Sequence, residues 1–358
     1  MSIYSNYHDL GKSNILCTKN GFIETVTEEG IKNIISNVLQ GGNVRDVTEF
    51  ITRNRLINSN AALLSLFSNC DLINTNDLSI FLDNVLNDLS KASNKTERTL
   101  SLWLLGLTNK GLDNIVRDIS NLDDYKLKLQ DTINDSINIL QEEFGDISGS
   151  ITLGGKTINV DWQFLSLFLS AIGSQTLTIR GSAKSMNGKL FEKLVLGTVI
   201  SLLGFEYCSE PPKQIDKNKR LFWLSNMDES ERETDATIVY NGKAISIDIG
   251  FIGKGNPEIT LDKVSRFGAY KRIGDIQHDM STIIIVDTVA EKSDLFNKAT
   301  KVNGHVLQMI HNDWIIKFAS LVCSILQFDH ELKDIKIDEL ESYLDSKLKS
   351  IDITQFIK

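Results

Sequence analysis

Asp235 and Asp248 are the residues whose types and spacing most directly suggest chemistry. They lie in a stretch where Thr234–Tyr240 and Lys243–Phe251 are both rich in Ile, Val and Thr, with Asn241-Gly242 between them. Asn-Gly is a favoured filling of a two-residue type I′ hairpin loop, because both loop positions need positive φ. Such a loop pairs Tyr240 with Lys243 and fixes the register, setting Ile238 opposite Ile245, Ala236 opposite Ile247 and Asp235 opposite Asp248. Opposed residues share a face, with Cβ atoms roughly 4.5–5.5 Å apart. Two carboxylates so placed repel, and a divalent cation between them is the best reason for the arrangement. The competing reading is a solvent-facing acidic hairpin. Glu231 and Glu233 share the strand parity of Asp235, so one of them could substitute for it.

Elements on both sides must position this hairpin. Residues 187–203 have a helical stripe at Leu190, Phe191, Leu194, Val195, Val199, Leu202 and Leu203, and Gly204 is a natural C-cap. Glu192 flanks that stripe, and on its own it reads as a boundary carboxylate paired with Lys189 or Lys193. Phe205–Cys208 leads toward strand, Pro211–Arg220 is a lysine-rich loop, and Leu221–Leu224 reads as a short strand. Beyond the hairpin, Gly253–Pro257 is a turn and Glu258–Arg272 a helix. Ser281–Thr288 is a continuous apolar run, hence a buried strand. Val306–Phe328 reads as a long helix and Ile337–Leu348 as an amphipathic terminal one.

The N-terminal part is of another kind. Residues 1–20 look irregular, and from Thr27 to Glu143 the periodicity is helical, with no proline before Pro211. Ile31, Ile34, Ile35 and Val38 mark one apolar face; Leu78, Phe81, Leu82 and Leu86 mark another. Ser150–Val160 reads as a hairpin turning at Gly154-Gly155, and Asp161 can N-cap the helix that follows. The expected division is an α-helical domain over 1–149, for DNA recognition, dimerisation or plain scaffolding, and an α/β domain over 150–358.

Composition bounds the function classes. The chain has 358 residues, 41% hydrophobic and 24% charged, as in ordinary soluble globular proteins. No apolar run approaches the roughly 20 residues of a membrane span, so a cytoplasmic protein without membrane contact is expected. Cys17, Cys70, Cys208 and Cys323 are scattered with no CxxC, against zinc modules and disulfide scaffolds. The net charge of −9 argues at first against nucleic acid. Yet bases gather in Arg180–Arg220 and Lys254–Arg272, and local clusters can bind phosphates. Walker loops, GxSxG elbows and dinucleotide fingerprints are absent. His305, His311 and Asn312 suggest an HNH-like site, but the segment runs into an apolar helix without the strand pair such a site needs.

The order helix, strand, strand, strand, helix, strand between Asn187 and Thr288, with one carboxylate on the helix and two on the strands, resembles the PD-(D/E)XK nuclease fold. The segments RGSAKSMNGKLFEKL and DIGFIGKGNPEI look most like type II restriction endonucleases of that superfamily. The resemblance implies a central mixed sheet flanked by helices, with Mg²⁺ (or Mn²⁺) as cofactor. It implies double-stranded DNA as substrate, 5′-phosphate ends, and a homodimer with one site per strand. By position, Asp235 and Asp248 resemble the two metal-ligating acids, and Glu192 the helix glutamate that completes or supports the metal site. The family pattern wants lysine two residues after the second acid, where this chain has Gly250. Lys254, beyond the bend at Gly253, is the first replacement and Lys263 the second. An inactive relative that only binds DNA or assembles with partners is the alternative that Gly250 keeps open. Arg180, Lys184, Ser185 and Lys189 before and at the start of the catalytic helix would contact phosphates. Asn256, Arg266, Lys271 and Arg272 would add a second DNA-contacting cluster.

Overall fold

In the computed structural model the described residues are 2–16, 18–71, 77–117, 121–225, 234–251, 270–273, 276–289, 299 and 304–357, with backbone alone at 20, 45–47, 270–273 and 276–278. The chain forms two compact units, one from Met1–Thr18 and Glu49–Ser185, the other from Lys19–Thr48 and Met186–Lys358. Compared with a division at residue 149, Lys19–Thr48 joins the C-terminal unit and residues 150–185 join the helical one.

The stretch expected to be irregular carries helices α1 (Ile3–Asn6) and α2 (Asp9–Ile15). Ser2 and His8 cap them by accepting from the backbone N–H of Tyr4 and Leu10. Helices α3 (Lys19–Val26), α4 (Glu28–Leu39), α5 (Val44–Asn69), α6 (Leu78–Lys91) and α7 (Lys95–Leu104) follow, then a single turn α8 (Asn109–Gly111) and α9 (Leu122–Phe144). Asp77 and Asn94 start α6 and α7, each side chain accepting from two backbone N–H groups. The core of the first unit is built from Leu63, Leu66, Phe81, Leu82, Val85 and Trp103 among others. The hairpin β1 (Gly149–Leu153) and β2 (Lys156–Val160) turns at Gly154-Gly155, both with positive φ. Asp161 then accepts from the Phe164 N–H at 2.7 Å, the expected N-cap.

That cap opens α10, which runs from Trp162 to Leu202 as one helix rather than the two separate helices expected. It ends at Gly204, where φ is +77°. Next come β3 (Glu206–Tyr207), β4 (Leu221–Leu224), β5 (Ala236–Tyr240), β6 (Lys243–Gly250), β7 (Tyr270–Ile273), β8 (Ile276–Val286) and β9 (Gly304–Gln308). Helices α11 (Trp314–Leu326) and α12 (Ile337–Leu348) close the chain. Two expectations need correction. Tyr270–Arg272 is strand, not the end of a helix, because it pairs antiparallel with the start of β8. Val306–Gln308 likewise is strand, paired parallel to β8, and the helix begins only at Trp314.

Among the described residues the second unit holds a mixed seven-stranded sheet, in the order β3-β4-β5-β6-β8, with β7 and β9 sharing the far edge of β8. The fold is thus mixed α/β. Strands β5 and β6 are almost wholly buried, so both faces of the sheet are covered. The centre of one face is apolar: Ile238, Ile245, Ile247, Ile249, Ile283 and Ile285 have no accessible surface. Helix α11 lies against β6 and β9, and the Lys243 ammonium donates to the Ile325 carbonyl at its C-terminal end. The Trp314 indole donates to the Val38 carbonyl at 2.9 Å, which ties α4 to α11.

Candidate active site

Register places the two aspartates on the opposite face from those isoleucines. Asn241 and Gly242 have φ of 51° and 73°, as a type I′ turn requires. Tyr240 pairs with Lys243, Ile238 with Ile245 and Ala236 with Ile247, as the sequence predicts. Asp235 and Asp248 lie one step beyond the last ladder pair, Ala236 with Ile247. The Asp235 N–H donates to Asp248 Oδ1 at 3.4 Å, and the Ile249 N–H donates to Asp235 Oδ2 at 2.8 Å. Each aspartate is therefore held at the backbone of the other's strand. Asp248 has no accessible surface, whereas Asp235, just before β5 begins, is half-buried.

The aspartates end a polar track. Thr237 lies opposite Ser246, and Ser246 opposite Thr282, so three small hydroxyl side chains on adjacent strands share their face one pair below. All three are buried. Beneath them the same face turns apolar, with Val239, Ala244 and Met280 packed on Leu221 and Trp223. Only strand parity could have found these hydroxyls in the sequence: each lies an even number of residues from one of the aspartates or is paired with one that does.

The donor set fits a divalent cation in chemical type. Two hard carboxylates meet, one fully buried, and charges so confined need a partner. Among the described residues no group of three or more His, Cys, Asp and Glu side chains comes together, so Glu192, half-buried on α10, does not form a three-carboxylate cluster with them. Gly250 is buried and pairs with Val286, on the same face as Asp248. Its carbonyl accepts from the Asp287 N–H at 3.2 Å. Lys254, Asn256, Lys263 and Arg266, like Glu231 and Glu233, lie outside the described residues, and for Lys271 and Arg272 only the backbone, in β7, is described.

The basic residues on α10 divide. Arg180 forms a two-pronged ion pair with Glu49 of α5, with both N···O distances 3.0 Å. Hydrogen bonds from Arg180 and then from Arg53 pull the Glu49 carboxyl down to about 2, and the pair holds the Arg180 guanidinium above its ordinary value. Lys184, Ser185 and Lys189 are exposed, the first two in the helical unit and the third in the sheet unit.

A mixed sheet flanked by helices, with two carboxylates meeting beside the β5–β6 hairpin, is an α/β architecture compatible with a nuclease-like core. The comparisons agree: the model of the CfrBI restriction endonuclease family matches residues 28–294. The type II restriction enzyme CfrBI of Citrobacter freundii is 37% identical over 346 residues, covering 95% of this chain and 94% of the relative. The chain belongs to the CfrBI restriction endonuclease family. No solved structure matches it.

Proposed function

We propose that this protein is a Mg²⁺-dependent type II restriction endonuclease of the PD-(D/E)XK kind. It would act on double-stranded DNA in the cytoplasm and leave 5′-phosphate and 3′-hydroxyl ends. The observation that carries the reading is the pair Asp235 and Asp248, locked into facing positions at the end of β5 and β6. Asp235 and Asp248 would hold the cation. When bound, the cation polarises phosphate oxygens and lowers the pKa of water.

The protein's own groups do the rest. The two backbone N–H bonds set the carboxylates before substrate arrives, so no reorganisation is needed at the moment of reaction. A lysine, Lys254 first and Lys263 second, would orient the attacking water and offset charge developing on the phosphate. Lys184, Ser185 and Lys189 are exposed and suited to phosphate oxygens. Arg180 reaches a phosphate only by leaving Glu49.

Incubation with plasmid and phage DNA in Mg²⁺ tests the reading. Discrete fragments, lost in Asp235→Ala and Asp248→Ala, are expected. Binding without cleavage in either Mg²⁺ or Mn²⁺ would overturn it and leave the DNA-binding alternative that Gly250 raises.

A further inference from the structure

Three buried hydroxyls lie beneath the acid pair, on the same face of the sheet. Thr237 is two residues from Asp235 on β5, Ser246 two residues from Asp248 on β6, and Thr282 stands beside Ser246 on β8. They are 5%, 5% and 3% exposed. Among the described residues, Thr237 has the Thr234 hydroxyl at 3.4 Å, and no side-chain hydrogen bond reaches Ser246 or Thr282. A helix can satisfy a buried hydroxyl locally: Thr99 and Ser101 on α7 donate to the carbonyls four residues earlier, at 2.7 and 3.2 Å. A strand in the middle of a sheet gives no such outlet, because its carbonyls are engaged in the ladder.

Packing alone would not choose these residues. On the other face of the same strands the core is filled by Ile238, Ile245, Ile247 and Ile283. Toward the hairpin turn their own face becomes apolar, with Val239, Ala244 and Met280. The hydroxyls thus occupy the row next to the acids, where Val and Ala would fill the same space without the cost of a buried group lacking a partner. Residues two apart on a strand are separated by roughly 6.7 Å, so the short Ser246 side chain falls short of the carboxylate above it. One water spans such a gap. It can accept from two hydroxyls and still donate to a carboxylate.

We infer that Ser246 and Thr282 are positioning residues for the acid pair: their hydroxyls hold a water that donates to the Asp248 carboxylate from beneath and fixes it for the cation. Groups that orient a metal-binding side chain from behind raise metal affinity without touching the metal. The inference rests on the proposed role of Asp235 and Asp248 as cation ligands.

The test is Mn²⁺ binding to the full chain, followed by the electron paramagnetic resonance signal of the free ion, beside thermal unfolding in EDTA. Ser246→Ala/Thr282→Val should bind Mn²⁺ about 10–100-fold more weakly than the natural sequence, with little change of melting temperature in EDTA, since it leaves no large cavity. Thr282→Ser keeps the hydroxyl and loses the methyl group. It should melt lower yet bind Mn²⁺ as tightly as the natural sequence, the opposite of what a purely packing role predicts. Unchanged affinity in the double variant, or affinity that merely follows stability across the variants, would overturn the inference. Asp248→Ala separates the two levels. If it abolishes binding while the double variant does not, the positioning role alone fails. If Asp248→Ala leaves binding intact, the cation-ligand reading fails and the positioning role with it.

Discussion

The two units handle polar and apolar groups in opposite ways. In the helical unit the charges lie outside, in pairs such as Glu49 with Arg180 and Arg53, and large apolar side chains such as Phe50 and Leu177 are left in solvent. In the sheet unit the central strands' apolar side chains are buried, while Ile310 and Ile337 are exposed, and a carboxylate, Asp248, is buried on the sheet. Two carboxylates meeting at a buried position suit a cation, as proposed above, whereas exposed ion pairs suit solvent. Under the proposed function the chemistry belongs to the sheet unit.

Cleavage assays give the largest expected effect. Asp235→Ala and Asp248→Ala should each lower the cleavage rate by at least about a thousandfold, since every step of the hydrolysis depends on charge held there. Arg180→Ala, in the helical unit, should leave the rate within about tenfold, because its guanidinium is already committed to Glu49. Equal losses in the two kinds of variant would erase the division of labour.

A second comparison uses two glycines of the same helix. A Cβ at Gly197 would stand 2.5 Å from Phe356 Cγ in the sheet unit, whereas at Gly181, in the helical unit, it would meet nothing within 4 Å. Gly197→Ala should therefore destabilise by about 1–3 kcal/mol through overpacking. Gly181→Ala should stabilise by up to about 1 kcal/mol through helix propensity. Denaturant unfolding measures both, and equal signs would contradict the packing described.

Smaller still is the effect of Asp248→Asn without metal. The amide keeps an oxygen to accept from the Asp235 N–H but removes a like charge. Unfolding in EDTA should show a gain of about 1 kcal/mol, absent or reversed when Mg²⁺ is added. A loss in EDTA would mean the pair is not repulsive.

The subtlest test concerns pH. Glu49 is held down to about 2 by Arg180 and Arg53, so its contribution to stability is present above its ordinary carboxylate range and is lost as pH falls through about 2. Melting curves of the natural protein and Glu49→Gln should differ at neutral pH and converge near pH 2. A constant difference throughout would show that the ion pair is not its source.

How much was legible in the sequence follows the range of the interactions. The hairpin, its register and its facing acids were readable because a two-residue Asn-Gly turn dictates them locally. Apolar stripes at Ile31–Val38 and Leu78–Leu86 were readable for the same reason. Strand β9 was not: Val306, Leu307, Met309 and Ile310 fit a helical period as well as a strand, and its ladder partner is the distant β8. The sequence suggests one helix after Asp161 and another over residues 187–203, yet α10 and its buried residues continue between them. The polar row of Thr237, Ser246 and Thr282 required knowing that β6 and β8 are neighbours, which no local pattern specifies. Family membership rests on the whole chain, and the acids alone would not have supplied it.

The exposed turn at Asn241-Gly242 constrains the protein in a way its position conceals. Surface loops ordinarily tolerate a change of length. Here one residue added while a two-residue turn is kept would slide β6 by one step against β5 and exchange its two faces. Asp248 would then point among the isoleucines and an isoleucine would occupy its place. In an insertion scan this turn should behave as a reading frame: different residues accepted at positions 241 and 242 so long as they reach positive φ, but no change in their number.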